Sequence, residues 1–247
     1  MIDSTFALFA VLVFAGYTTQ TMIGFGSLII CVTLGAHLYP IQTLIPLVVP
    51  LSIAQCGYIV TRHHDGVDWR LLLRQILPIM GVGMVGGFLV FEFVQGPWLR
   101  SFFAILVMVL ASRELYFLLR VDPERNARPM SRAESSGWIL GAGVIHGIYA
   151  AGGPMLVYAV NRMGLSKHAF RSTLSTVWLV LNTGLVITYW RTGRFDAESV
   201  KKIGLLLLTV PLGIWAGEHL HARVDERRFR VLVFSILIVA ALSLLIR

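Results

Sequence analysis

Eight apolar stretches divide the chain, and two of them are interrupted at matching positions by small residues. Six stretches have the length of about 20 residues that a membrane crossing requires, and they lie near residues 38–60, 71–94, 99–119, 172–190, 202–220 and 229–246. The other two, residues 5–35 and 137–160, contain the breaks Gly24-Phe25-Gly26-Ser27 and Ala151-Gly152-Gly153-Pro154. A fold for this chain must therefore accommodate two broken segments among its membrane spans.

Composition places the protein in a membrane. Of its 247 residues, 56% are hydrophobic and 14% are charged, and the mean hydropathy is +0.75. Soluble domains carry about 25% charged residues. The net charge of +8 does not indicate nucleic acid, because the Lys and Arg residues lie in short loops between apolar runs. We expect an all-α polytopic protein in direct contact with the lipid bilayer of the cell's cytoplasmic (inner) membrane.

The sequence offers no set of metal ligands. Its two cysteines, Cys31 and Cys56, both fall inside apolar stretches and are interpreted as small core residues. We therefore expect no metal site, no disulfide and no cofactor. The first Lys or Arg is Arg62, so the N-terminal segment lacks the basic start of a signal peptide and is interpreted as part of the fold.

The two halves of the chain resemble each other. A constant offset of 127 residues aligns the two breaks and also places Gln55 on Asn182, and a slightly larger offset of 130 places Gly83 and Gly87 on Gly213 and Gly217. Each half then contains one broken segment followed by three ordinary spans. We predict a first repeat at residues 1–120, a polar cytoplasmic linker at 121–136 and a second repeat at 137–247.

The direction of the second repeat depends on whether the broken segments cross the membrane or re-enter it. If they cross, the better orientation places 13 of the 21 Lys and Arg residues inside and 8 outside. If they dip in and return, one side collects 15 and the other 6. The positive-inside rule favours the second arrangement. We therefore predict two inverted repeats, each a re-entrant helical segment plus three transmembrane helices, with both termini outside.

The breaks themselves have the chemistry of an anion site. A helix that begins at membrane depth presents unpaired backbone N–H groups and the positive end of its dipole. Gly24, Phe25, Gly26 and Ser27 would form one such start, and Gly152 and Gly153 the other. Pro154 suits a first helical turn, because its missing N–H is not needed there.

Several polar or aromatic side chains near the breaks are further candidates for contact with a ligand. Gln20 precedes the first break, and His146 and Tyr149 precede the second. Gln55 and Asn182 are amides at equivalent mid-span positions, which would converge near the midplane if the repeats are inverted. Alternative interpretations are an amide clamp between helices for this pair and a core residue or a proton carrier for His146.

Arg171 and Trp178 complete the candidate set. Arg171 begins the span that contains Asn182 and could hold an anion, or it could extend its charge to the membrane surface. Trp178, two helical turns further on, could contact a substrate or lipid. The sequence leaves open whether a proton or a sodium ion is coupled to transport, and whether the protein forms a homo-oligomer.

The motifs in their order resemble those of the TauE/SafE sulfite exporter family. The resemblance rests on the following segments: Gly24-Phe25-Gly26-Ser27, Leu38-Tyr39-Pro40, Asp65-Gly66-Val67-Asp68-Trp69, the glycines from Gly81 to Gly87, Ala151-Gly152-Gly153-Pro154 and Phe170-Arg171-Ser172-Thr173-Leu174. It implies a secondary transporter, not an enzyme, for small anions such as sulfite, thiosulfate, organosulfonates or carboxylates. The first motif ends in Gly-Ser where the family has a glycine pair and a later proline.

Two other functions share some of these features. Ser27 and His146 superficially offer the dyad of an intramembrane serine protease, but a protease has no need of a second broken segment. A passive anion channel could use the same site if both of its gates opened together. The duplicated breaks favour a carrier that alternates access around one midplane site.

The inverted arrangement predicts that Ser131 and the C-terminus lie on opposite sides of the membrane. A membrane-impermeant thiol reagent applied to intact cells is expected to spare Ser131→Cys and to label a cysteine tag added after Arg247. Labelling of both positions from the same side would contradict the inverted arrangement.

Overall fold

A computed structural model describes residues 3–93, 97–120, 130–221 and 224–246. Within these ranges the regular structure is helical. The helices are α1 (Ser4–Ile23), α2 (Ser27–Gly35), α3 (Ile41–His63), α4 (Trp69–Leu71), α5 (Leu77–Phe93), α6 (Pro97–Arg120), α7 (Arg132–Tyr149), α8 (Gly153–Val160), α9 (Lys167–Arg191), α10 (Ala197–Leu207), α11 (Thr209–His221) and α12 (Glu226–Ile246). A π-helical turn, Leu72–Ile76, joins α4 to α5.

Seven helical segments in the described ranges are long and apolar enough to cross a membrane. They are Ser4–Ile23, Ile41–Gly66, Trp69–Phe93, Trp98–Arg120, His168–Arg191, Ala197–Leu220 and Arg227–Ile246. The expectation of an all-α polytopic membrane protein is confirmed. Large apolar side chains stay exposed on these helices, among them Val82, Val239 and Trp98, and such a surface suits lipid.

The first broken segment folds back on itself. α1 ends at Ile23 and α2 begins at Ser27, as the sequence predicts, but the two arms are unequal, with 20 and 9 residues. A Cβ on Gly35 would lie 2.9 Å from the Phe9 ring, and the Cys31 thiol lies 3.9 Å from the Leu12 carbonyl oxygen. Positions later in α2 therefore contact positions earlier in α1, and the two helices are antiparallel.

The second broken segment has the same form. α7 has 18 residues and α8 has 8. A Cβ on Gly141 would lie 2.7 Å from the Met155 methyl group, and the rings of Trp138 and Tyr158 lie 4.7 Å apart. This pairing is again antiparallel, so α1–α2 and α7–α8 are two helical hairpins.

Contacts at helix ends join the basic segments in pairs. His168 lies 3.5 Å from Asp65, which joins two of the segments that charge counting assigns to one side of the membrane, and Arg227 donates to the Leu118 carbonyl, which joins the other two. At other helix ends, Arg194 forms an ion pair with Glu92 at 3.0 Å.

Each hairpin packs against a glycine-bearing helix of the other half. Gly83 and Gly87 of α5 contact the α7 backbone directly, and Gly213 and Gly217 of α11 contact α1. Small residues four apart let helix backbones approach closely. The glycines that align between the halves thus perform the same packing role in both.

Substitution of Gly87 tests this packing. A methyl group there would collide with the Val144 backbone, which cannot move aside as a side chain could. We expect Gly87→Ala to reduce the free energy of unfolding by about 1–3 kcal/mol, measured by unfolding in detergent.

The neighbouring Gly86 provides the matched control, because a methyl group there meets no atom within 4 Å. Gly86→Ala is expected to leave stability unchanged or to raise it through the higher helix propensity of alanine. Equal destabilisation by both substitutions would show that the α5–α7 contact is not the cause.

Candidate functional site

Glycine forms the turn at the first break. Gly24 has a φ of 84° and donates its N–H to the Gln20 carbonyl at 2.7 Å, which closes the C-terminus of α1. Gly26, with a φ of 109°, precedes the first residue of α2. Both φ values lie in the left-handed region that side chains disfavour. The two glycines let the chain reverse within three residues.

The second break reverses through a different residue. Ala150 has a φ of 53° and donates its N–H to the His146 carbonyl at 2.7 Å, whereas Gly152 has an ordinary φ of −67°. Pro154 lies in the first turn of α8, as predicted. Gly24 and Ala150, the left-handed residues that follow α1 and α7, are thus 126 positions apart, one fewer than the offset of 127 that aligns the two breaks in sequence.

Both breaks line one small buried cavity. Its walls are formed by Gln20, Phe25, Gly26, Leu28, Ser52, Ala150, Ala151, Gly153, Pro154 and Trp178. The breaks also come close to each other, since a Cβ on Gly153 would lie 3.6 Å from Phe25 and 3.9 Å from Trp178. The space open to the centre of a water molecule is about 20 Å³, and about 10–15 Å³ of such space holds one water. A small ligand could enter only if the hairpins moved apart.

Gln20 caps the start of α2. Its side-chain carbonyl accepts the Ser27 N–H at 3.2 Å and a short hydrogen bond from the Ser27 hydroxyl. Its amide nitrogen lies 3.5 Å from the Cys56 sulfur. Gln20 is 4% exposed and Ser27 is fully buried. Two of the donors that could bind a ligand, the Ser27 N–H and hydroxyl, are therefore hydrogen-bonded to a side chain of the protein.

Asn182, His146 and Trp178 form a buried group beside the cavity. Asn182 donates to the Ser52 hydroxyl at 3.0 Å, and the His146 ring lies 5.3 Å from the Trp178 ring. His146 and Asn182 face each other, yet neither the ring nitrogens nor Asn182 Oδ1 has a well-aligned hydrogen bond within the described residues. These atoms are polar, fully buried and available to a ligand or to a rearrangement.

Gln55 has a different position from Asn182. Its amide nitrogen donates to the Tyr17 carbonyl at 2.8 Å and to the Thr21 hydroxyl at 2.7 Å. The two hydrogen bonds thus hold α3 against α1. Gln55 does not line the cavity, and neither do Ser27, His146 and Asn182. The contacts correspond to the amide clamp that is the alternative interpretation from sequence.

Tyr149 and Arg171 lie at the edges of the site. The Tyr149 hydroxyl donates to the Leu99 carbonyl at 2.8 Å, so it points towards α6 and away from the cavity. The Arg171 stem packs at the first break, where a Cβ on Gly24 would lie 3.9 Å from its Cγ. Its Nε has no hydrogen-bond partner in the described ranges.

Ser52 is a cavity residue that the sequence reasoning missed. It is almost fully buried in α3, its hydroxyl accepts from Asn182, and it lies 3.7 Å from the Cys56 sulfur. The available signal was its spacing: Ser52 precedes Gln55 by three residues, so both lie on one face of a helix.

Together, the spanning helices and the paired hairpins that meet at one buried cavity define a polytopic membrane protein with the architecture of a secondary transporter. The profile of the family described as "Sulfite exporter TauE/SafE" matches residues 8–244. The chain belongs to this family of transporters, and it is not an enzyme.

A curated relative also matches along almost the whole chain. It is a protein of Cupriavidus necator named "Probable sulfite/organosulfonate exporter TauE", which is 23% identical over 238 residues. The alignment covers 94% of this chain and 90% of the relative. No solved structure matches this chain significantly.

The left-handed residues that follow α1 and α7, Gly24 and Ala150, allow a paired test by substitution. Gly24→Ala meets no steric obstacle within 3.9 Å, so its cost is conformational and is expected to be about 1–2 kcal/mol of stability. Ala150→Gly relieves the same strain at the other hairpin and is expected to raise the free energy of unfolding by a few tenths to about 1 kcal/mol, because added freedom of the unfolded chain offsets part of the gain. Thermal unfolding in detergent measures both, and changes of the same sign would contradict this account of the breaks.

Proposed function

We propose that this protein carries a small sulfur oxyanion, sulfite or an organosulfonate, across the cytoplasmic membrane by alternating access. The family membership supports transport, and the name of the Cupriavidus necator relative supports this class of anion. The direction of net movement would follow the prevailing gradients. Thiosulfate is a further candidate of the same chemical class.

One structural observation carries the proposal: both breaks line the same cavity, and each begins a helix there. The first intrahelical bonds of these helices are from Ile30 to Gly26 and from Leu156 to Gly152, so the N–H groups of Ser27, Leu28, Ile29, Gly153 and Met155 precede them. None of the described residues that line the cavity is charged. Backbone donors, helix dipoles and the Ser27 hydroxyl would therefore hold the anion.

Uncharged donors suit a carrier. An anion paired with a buried Arg or Lys would be bound tightly, whereas a carrier must release its substrate at every cycle. Arg171, beside the first break, would attract the anion towards the site without remaining bound to it. His146 and Asn182 would supply further polar contacts once the cavity opens.

The helix directions support two inverted repeats. Equivalent helices of the halves pack as antiparallel pairs: the start of α9 lies at the end of α3, where His168 meets Asp65, and the start of α12 lies at the end of α6, where Arg227 meets Leu118. Repeats related by an axis along the membrane normal would keep equivalent helices parallel. The hairpins would thus enter from opposite faces and meet near the midplane.

The cavity's small size supports alternating access. A volume of about 20 Å³ suffices for about one water, so the hairpins would have to separate before an anion could bind. Opening towards one face would move one hairpin together with the helix of the other half that packs on it. The pairs α1–α11 and α5–α7 are therefore the proposed moving units.

The channel and protease alternatives receive less support. The duplicated breaks favour a carrier over a channel, and the Ser27 hydroxyl donates to Gln20 rather than to His146. Counterflow distinguishes carrier from channel: in liposomes, unlabelled sulfite on one side should drive uptake of labelled sulfite against its gradient only for a carrier.

Thermal stabilisation of the purified protein tests the anion class. A ligand that binds only the folded state raises the apparent melting temperature. We expect sulfite and methanesulfonate to raise it more than chloride at equal ionic strength. We expect Ser27→Ala to weaken binding about three- to tenfold, because the charge-assisted hydrogen bond to the anion is stronger than the neutral bond to Gln20 that it replaces.

Ser235→Ala is the control, since that hydroxyl donates to the Val231 carbonyl within α12, away from the cavity. The two serine variants should differ in anion response while both remain folded. An equal response of the wild type and Ser27→Ala would remove Ser27 from the site.

A further inference from the structure

The hydrogen bonds of Gln20 have the pattern expected of a bound anion. Its carbonyl oxygen accepts both the backbone N–H and the hydroxyl of Ser27 at the start of α2. These are two of the donors proposed for the transported anion. A partial negative charge of the protein thus occupies a position that an oxyanion oxygen would take.

The contact is not the usual way to cap a helix. Ordinarily the residue just before the helix supplies the capping oxygen, but that residue here is Gly26, which has no side chain, and Gln20 reaches across from the other arm of the hairpin. Gln20 lines the cavity and is almost fully buried. Its position therefore depends on the hairpin turn rather than on the local sequence of α2.

The other end of the Gln20 amide is weakly held. Its nitrogen faces the Cys56 sulfur at 3.5 Å, and sulfur is a weak acceptor. Gln55, by contrast, has its amide nitrogen bound to two oxygen atoms at 2.7 and 2.8 Å. Rotation of Gln20 out of this position would therefore break the two hydrogen bonds of its carbonyl but would lose little at its amide nitrogen.

The described part of the chain shows no equivalent cap at the second hairpin. Gly152, the residue before α8, has no side chain to cap it, and the constant offset places Gly147 at the position of Gln20 and Pro154 at that of Ser27. The side-chain cap is thus confined to one of the two helix starts, which makes it a specific feature of the first.

We propose that Gln20 is an internal competitor for the transported anion. Without a bound anion, the Gln20 side-chain carbonyl accepts the hydrogen bonds of the Ser27 N–H and hydroxyl. An anion must displace this carbonyl to bind, and the carbonyl returns when the anion leaves. The inference rests on the proposed anion site and adds the residue that sets its affinity. The cost of displacing the carbonyl keeps the affinity for the anion moderate. After release, the returning carbonyl again accepts the hydrogen bonds of Ser27 while the hairpins change position.

Two substitutions of Gln20 have opposite expected effects. Gln20→Met preserves the length of the side chain but removes the competing carbonyl, so sulfite should bind about three- to tenfold more tightly, the change that corresponds to one neutral hydrogen bond. Gln20→Glu replaces the carbonyl with a tethered carboxylate that accepts from the same donors. The sulfite-dependent rise in melting temperature should then disappear, and the ligand-free protein should melt above Gln20→Met.

The measurements are sulfite titration by thermal shift and by calorimetry on purified protein at pH 8, with size-exclusion profiles to verify folding. Thr19→Ala is the matched control, because its hydroxyl bonds back to the Ala15 carbonyl within α1. This variant should bind sulfite as the wild type does.

Each outcome decides the proposal. Weaker sulfite binding by a folded Gln20→Met would overturn it and make Gln20 a direct ligand, as would an undiminished sulfite response of Gln20→Glu. If only one variant folds, its result decides by itself. Absence of binding in both the wild type and Gln20→Met would overturn the anion site as well, whereas binding by Gln20→Met alone would support the competitor.

Discussion

Satisfaction of backbone hydrogen-bonding groups at membrane depth is the constraint on which this structure depends. Lipid offers no partner to an exposed N–H or carbonyl, so a helix can break inside a membrane only where protein surrounds the break. Here the Gly24 N–H bonds to the Gln20 carbonyl and the Ser27 N–H to the Gln20 side chain. One residue thus closes the end of α1 and the start of α2. The same requirement would create the proposed anion site, because the donors that must be satisfied are those that an anion can bind.

Close helix packing positions the breaks against each other. Each hairpin lies on a helix of the opposite half, through Gly83 and Gly87 in one case and Gly213 and Gly217 in the other. Because the contacts are between backbones, hairpin and helix are expected to move as a unit. The cavity lies between the two units, so a change in their separation would open or close the site without a change of secondary structure.

Much of the fold could be predicted from the sequence because its signals are local. The apolar runs predicted the spans, and the glycine clusters predicted where α1 and α7 end. The site was less accessible, since the partners of a polar side chain depend on neighbours distant in sequence. Gln55 and Asn182 looked equivalent, yet Gln55 binds α1 whereas Asn182 binds Ser52 beside the cavity. Tyr149 looked like a pocket residue, but its hydroxyl reaches Leu99, 50 positions away.

The sequence by itself determined the membrane environment, the two breaks and the resemblance of the halves, because hydropathy and glycine placement act within single helices. Charge counting predicted that each broken segment dips in and returns, but tertiary structure alone decided which residues of the two breaks line one cavity. Tertiary structure also decided that the side-chain carbonyl of Gln20 accepts hydrogen bonds from the N–H and hydroxyl of Ser27. These features depend on contacts between segments, and neither composition nor spacing specifies which donor meets which acceptor once the helices pack.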